Sequence, residues 1–184
     1  ARTSSTAAGR RGSGVQIELI EATPEHKLVL AALFALYQYD FTEYTHEDVG
    51  DDGRFGADLL DRYYFDFAGE PRHAFLLRVD GKWAGLTLLH RGAFLIDDPE
   101  MMDIVEFFVM RKYRRRGAGE AMARAIFDRF PGRWEVREIA TNLPAQAFWR
   151  AIIGRCTGGR FEERAWDDDK WRGPVQFFDS RDRA

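Results

Sequence analysis

Apolar residues alternate with polar ones at Val15, Ile17 and Leu19, then fill almost every position from Leu28 to Tyr37. The first pattern has the period of a strand and the second that of a buried helix, introduced by Thr23 as cap and Pro24 in the first turn. Another helical stretch is predicted over Leu59 to Phe67. Ala74 to Val79 and Trp83 to Leu89 flank Asp80-Gly81, a type I′ turn signal, and read as a hairpin. Ile104 to Val109 is an apolar strand that runs through a basic turn into a helix, with Ala118, Met122, Ile126 and Phe130 on one face and Glu120, Arg124 and Asp128 on the other. The alternating run Trp134 to Ala140 predicts a strand, and Pro144 and Gly154 bracket a short helix. Arg160 to Trp166 and Pro174 to Phe178 are predicted closing strands. Residues 1–14 have no apolar period and are predicted to be disordered, which leaves 15–184 as a single domain.

The segment Val109 to Gly119, V-M-R-K-Y-R-R-R-G-A-G, has the chemistry of an anion site. Gly117 and Gly119 lack Cβ atoms, so a phosphate can approach their backbone. The first N–H groups of the following helix have no intrahelical partner and carry the positive end of its dipole. A pyrophosphate fits such a cradle. Basic runs are also common as solvated loops; here the glycines and the helix behind them favour the phosphate site.

Val109, Arg114, Gly117 and Gly119 resemble the V-x-P-x-x-R-x-x-G-x-G pattern of the GCN5-related N-acetyltransferase (GNAT) superfamily, with Arg111 in the usual proline position. Asn142, Ala145, Phe148 and Trp149 resemble its N-x-x-A-x-x-F-Y segment. The resemblance implies a mixed α/β fold, a central sheet whose fourth and fifth strands splay apart, with helices on both faces. It implies acetyl-CoA as co-substrate, its pyrophosphate on Arg114, Arg115, Arg116, Gly117, Ala118 and Gly119. The pantetheine arm would bond the backbone of Phe108 and Val109, and Asn142, Ala145 and Phe148 would complete the cofactor site. Many relatives are homodimers, and Phe177 and Phe178 suit a partner sheet.

Attack on a thioester needs a neutral amine, and an alkyl ammonium with a pKa of roughly 10 must first lose a proton, so a carboxylate near the acetyl group would help. Glu106, an ionisable residue inside I-V-E-F-F-V, and Asp103 are the candidates. Pairing of one or both with arginine is the competing reading. Three positions apart on a regular strand, they face opposite sides unless a bulge intervenes. Trp149 stands where many relatives carry a tyrosine acid, and an indole N–H cannot replace it. A thiol of pKa roughly 8.5 leaves without that help. Cys156 has no paired histidine and reads as a small buried side chain. Asp40 to Asp52 carries six carboxylates and no Lys or Arg. With Tyr39, Asp40 and Tyr44 it forms either a solvated acidic loop or a wall for a cationic amine. Asp167 to Asp169, beside Trp166 and Trp171, is a candidate for the opposite wall on the same logic.

Composition narrows the partners. The chain has 184 residues, 45% hydrophobic, which suffices for one core, and a net charge of −3 that argues against nucleic acid despite five basic residues among 111–116. One cysteine excludes an intramolecular disulfide, the four histidines have no metal spacing, and no apolar run is long enough for a membrane span, so a cytoplasmic location is expected. The leading function is an acetyl-CoA-dependent N-acetyltransferase acting on a small-molecule or peptide amine. A non-catalytic acyl-CoA-binding module is the alternative.

Overall fold

The computed structural model describes residues 6–7, 15–55, 60 and 72–182. Its strands are β1 (Thr6–Ala7), β2 (Ile17–Glu21), β3 (Arg72–Val79), β4 (Lys82–Arg91), β5 (Met102–Val109), β6 (Arg133–Arg137), β7 (Phe161–Asp167) and β8 (Arg172–Asp179). Its helices are α1 (Lys27–Thr45), α2 (Ala118–Arg129) and α3 (Leu143–Thr157). The strands follow the order β1-β2-β3-β4-β5-β6-β8-β7. Strands β1 with β2, β2 with β3, β6 with β8 and β7 with β8 pair antiparallel, whereas β5 pairs with β6 in parallel. This is the expected mixed α/β class. Apart from Thr6–Ala7, the 1–14 segment lies outside the described residues, as does the Leu59–Phe67 helix apart from Leu60.

The chain forms two compact units, one of residues 1–88 with 106–122 and one of 89–105 with 123–184. In the first, α1 starts behind Thr23, whose N–H donates to His26 Nδ1 at 3.2 Å, with Pro24 in the preceding 3-10 turn. It runs past the expected end at Tyr37 to a left-handed cap at His46, whose N–H bonds Thr42 O. Leu30, Leu33 and Phe34 of α1 are buried. Asp80 (φ 50°) and Gly81 (φ 72°) both take positive φ, as a type I′ hairpin turn requires. Gly85 of β4 lies against β5, where a Cβ would come 2.1 Å from Phe108 O. Beside it the Met110 N–H donates to Ala84 O at 2.8 Å.

The second unit packs around Phe127, which meets Trp134 and Phe178 edge-on, each at 5.1 Å between ring centroids. The Trp134 indole N–H donates to Phe130 O. The β5–β6 ladder pairs Met102 with Trp134, Asp103 with Glu135 and Ile104 with Val136, while β5 itself runs on to Val109. Two boundaries differ from expectation. β6 ends at Arg137 rather than Ala140; beyond it Gly173 (φ 149°) lies so close to Glu138 that a Cβ would come 2.0 Å from its carbonyl oxygen, and the Glu138 and Ala140 amides still donate to Pro174 O and Arg172 O. Helix α3 passes Gly154 and stops at Gly158, which adopts φ 63° and returns its N–H to Gly154 O.

Gly85→Ala is expected to lower stability by about 1–3 kcal/mol, because the methyl group must displace backbone rather than a side chain. Urea denaturation of the variant beside Gly81→Ala, which meets nothing within 4 Å, separates this overlap from the cost of positive φ alone.

Candidate functional site

The basic turn is built in the first unit. After β5 the chain makes a 3-10 turn over Arg111–Tyr113, and then Arg115 (φ 59°) and Gly117 (φ 80°) adopt left-handed backbone before α2 begins. Gly117 O accepts the Ala121 N–H at 2.9 Å, which makes Gly117 the N-cap and sets Ala118 and Gly119 in the first turn of the helix. A Cβ on Gly117 would meet nothing within 4 Å, so the loop is open on that side. Alternating backbone hands turn successive N–H groups toward one point, a geometry suited to an anion. Lys82, Lys112 and Arg116 line a neighbouring cavity of about 150 Å³ together with Val15, Val79, Asp80, Tyr113 and Ala118.

Arg114 has a different setting. Its Nε donates to Val109 O at 2.7 Å and its Nη2 to Asp40, while Arg111 Nε donates to the other oxygen of Asp40 at 2.5 Å. Burial raises the Asp40 carboxyl, but the two guanidinium groups outweigh it and hold it below its usual range. Asp40 therefore bonds the loop cations, while Tyr39 is exposed and Tyr44 packs its ring against Phe41. One turn before Asp40, Tyr37 donates its hydroxyl to Glu106 and stacks obliquely on Phe108 at 5.6 Å. Burial, then the Glu106 charge, push the Tyr37 phenol well above its ordinary value, so it stays protonated. Glu106 is thus an acceptor held by a permanent donor, and its backbone carbonyl takes the Thr87 hydroxyl at 2.8 Å. Phe108 and Val109 are both buried.

Asp103 belongs to the second unit and pairs with arginine. It is 2% exposed and accepts from Arg137 Nη2 at 2.6 Å and Nε at 3.3 Å. Glu135, opposite it in the ladder, lies 3.0 Å from the same guanidinium and accepts the Phe94 and Leu95 amides at 3.2 Å each. Burial raises both carboxyls against that arginine. The rings of Phe94 and Trp171 cover Arg137 at 4.2 and 5.0 Å. Asn142 is the N-cap of α3 and accepts the Ala145 N–H at 3.1 Å, so two residues of the second motif hold one another. Phe148 meets Trp149 edge-on at 5.0 Å, and Trp149 is 5% exposed. Among the described residues no metal-binding cluster occurs and no helix is long and apolar enough to cross a membrane.

Arg137, Glu135 and Glu138 are not singled out by the sequence, and Tyr37 is read there only as an aromatic beside the acidic segment, not as the partner of Glu106. The available signal was charge inside the alternating run W-E-V-R-E, whose Glu135 and Glu138 the fold buries. Glu138 is 4% exposed, and neither carboxylate oxygen has a hydrogen-bond partner among the described residues. Burial, reinforced by Glu163, pushes its pKa to about 8.

An Acetyltransferase (GNAT) family model matches residues 31–154, and the chain belongs to that family. An acetyltransferase from Thermus thermophilus superposes with TM-score 0.64 at 17% identity, over 89% of this chain and 96% of that one. Spermidine N-acetyltransferase from Vibrio cholerae, in complex with CoA and spermine, gives 0.61 at 10% identity, over 90% and 96%. Aminoglycoside acetyltransferase AAC(6')-Ib, in complex with coenzyme A and kanamycin, gives 0.65 at 15%, over 91% and 96%. At these identities the likeness establishes the fold. No curated protein matches the chain in sequence.

The raised pKa of Glu138 has a sign. The folded state keeps a proton that the unfolded chain releases near 4.5, so this contribution to stability is present at low pH and is lost as pH rises toward about 8. Glu138→Gln keeps the shape without the titration. Its stability relative to the parent is expected to increase between about pH 5 and pH 8 in parallel denaturation curves; a pH-independent difference would show that Glu138 titrates normally.

Proposed function

We propose that the protein transfers an acetyl group from acetyl-CoA to a primary amine of a small molecule or peptide. The observation that carries this reading is the open, left-handed turn at Arg115 and Gly117 leading into the first turn of α2. Backbone amides there supply donors for a pyrophosphate without any loss of side-chain entropy, and Lys112, Arg115 and Arg116 add positive charge around it. Family membership fits the same cofactor, and two fold relatives were each solved with CoA.

The chemistry follows from what this chain places nearby. Backbone at Phe108 and Val109 would take the pantetheine amides in the manner of an added strand. The amine nitrogen attacks the thioester carbonyl carbon, the C–N bond forms, the C–S bond breaks, and CoA leaves as thiolate. Glu106 receives the proton that the amine gives up, directly or through water, and the Tyr37 hydroxyl keeps that carboxylate oriented. Asp103 shares Arg137 with Glu135. That arrangement favours a structural role for Asp103 and leaves Glu106 as the base. Trp149 offers no acid, which a thiolate leaving group tolerates.

Calorimetric titration of acetyl-CoA tests the cofactor: micromolar binding is expected in the parent and none in Gly117→Glu, which sets a carboxylate and a strained φ in the cradle. No binding to the parent would remove the acetyltransferase reading. Glu106→Gln is expected to bind CoA normally and to lose turnover by about 10²–10⁴-fold, the usual worth of a positioned base. CoA binding without transfer to any amine in a broad screen would instead favour a non-catalytic acyl-CoA-binding module.

A further inference from the structure

Asp40 bridges two guanidinium groups of the cofactor turn. One oxygen accepts from Arg111 Nε at 2.5 Å and the other from Arg114 Nη2, and Arg111 is also 3.8 Å from Glu43. A phosphate group takes paired arginines in the same manner, with an anionic oxygen for each. The bridge is not sealed in the core, since the side chains of Arg111 and Arg114 are 68% and 41% exposed and that of Asp40 17%. Ion pairs this accessible exchange partners at small cost. Arg114 has a second anchor in Val109 O, which keeps its guanidinium at the end of β5 when the carboxylate is given up. Asp40 also stands on α1 among aromatic side chains: Tyr37 precedes it by one turn and Tyr44 follows by one, and Tyr39 is exposed next to it.

We propose that Asp40 is an internal stand-in for the cofactor's pyrophosphate, and that binding of the cofactor hands Arg111 and Arg114 to phosphate oxygens and frees Asp40 to hold a positive charge on the acceptor. The inference rests on the acetyl-CoA reading above and adds two properties to it. The acceptor class is an amine that carries a second cationic group, because the freed carboxylate beside Tyr39 and Tyr44 binds charge rather than the reacting neutral nitrogen. The two sites are coupled, and by linkage each ligand strengthens the other by the same factor. Without cofactor, Asp40 is already neutralised and attracts a cation weakly.

The test is calorimetric titration of CoA into the parent, Asp40→Asn and Glu43→Gln, followed by titration of 1,4-diaminobutane as probe amine with and without saturating CoA. Removing the internal competitor is expected to tighten CoA binding by up to about fivefold in Asp40→Asn, with a smaller change in Glu43→Gln, which removes a charge but no bridge. In the parent, CoA should strengthen binding of the diamine, and Asp40→Asn should lose that enhancement while keeping the parent's thermal midpoint within a few degrees. Weaker or unchanged CoA binding in Asp40→Asn would overturn the exchange and make Asp40 a residue that merely positions the arginines. Absence of CoA binding in the parent and both variants would overturn the cofactor reading and the exchange with it.

Discussion

The passage from β5 into α2 sets the central constraint: the chain must turn between Val109 and Ala118 and start a helix at once, with Ala118 already buried. It does so by placing Arg115 and Gly117 in left-handed backbone. Glycine adopts that conformation freely, whereas for an arginine it costs roughly 1–2 kcal/mol. Part of that cost is offset by the fastening of Arg114, whose guanidinium ties the end of β5 to Asp40 on α1. The same fastening settles where charge resides in the turn. Two of the basic residues, Arg111 and Arg114, are engaged by Asp40, whereas Lys112, Arg115 and Arg116 are exposed.

Each unit handles its buried and half-buried carboxyl groups differently. Glu106 is satisfied by a phenol that burial keeps protonated, so it remains a hydrogen-bond acceptor beside a neutral donor. Asp103 and Glu135 divide one arginine between them, with two backbone amides completing Glu135. Burial raises both carboxyls against that arginine, and the Asp103 charge adds to the effect at Glu135. Glu138 has neither solution and keeps a proton instead; Gln176 Oε1, likewise buried without a donor, belongs to the same neighbourhood. A carboxyl that retains its proton is a hydrogen-bond donor, so protonation relieves a local surplus of acceptors.

Much of the fold was legible because its signals are local. Asp80-Gly81 specifies a hairpin through two positive φ values, Pro24 and Pro144 mark helix starts, alternation marks β2, and short apolar runs mark β3, β4 and β5. The boundaries that moved depended on distant backbone: β6 stops where Gly173 crowds Glu138, and α3 ends at Gly158, the residue that turns left-handed, rather than at Gly154. The turn between β5 and α2 was legible for the same local reason, since Gly117 ahead of an amphipathic helix announces a left-handed turn and a helix start. Partnerships between side chains were not. Tyr37 with Glu106 spans 69 residues of sequence and Asp40 with Arg114 spans 74, and no periodicity encodes such pairs. The acidic stretch beginning at Asp40 read as either a solvated loop or an acceptor wall, and neither reading anticipated that its first carboxylate bonds the arginines of the turn.

The most direct test of the central claim is a backbone amide NMR titration of the parent protein with CoA. The largest shifts should fall on Arg115 through Glu120, with smaller ones at Phe108 and Val109 and with the Arg114 Nε resonance moving as Asp40 is displaced. Saturable CoA binding whose shifts lie elsewhere and leave the amides of residues 115–120 unmoved would contradict the account, because the left-handed turn would then serve the fold alone.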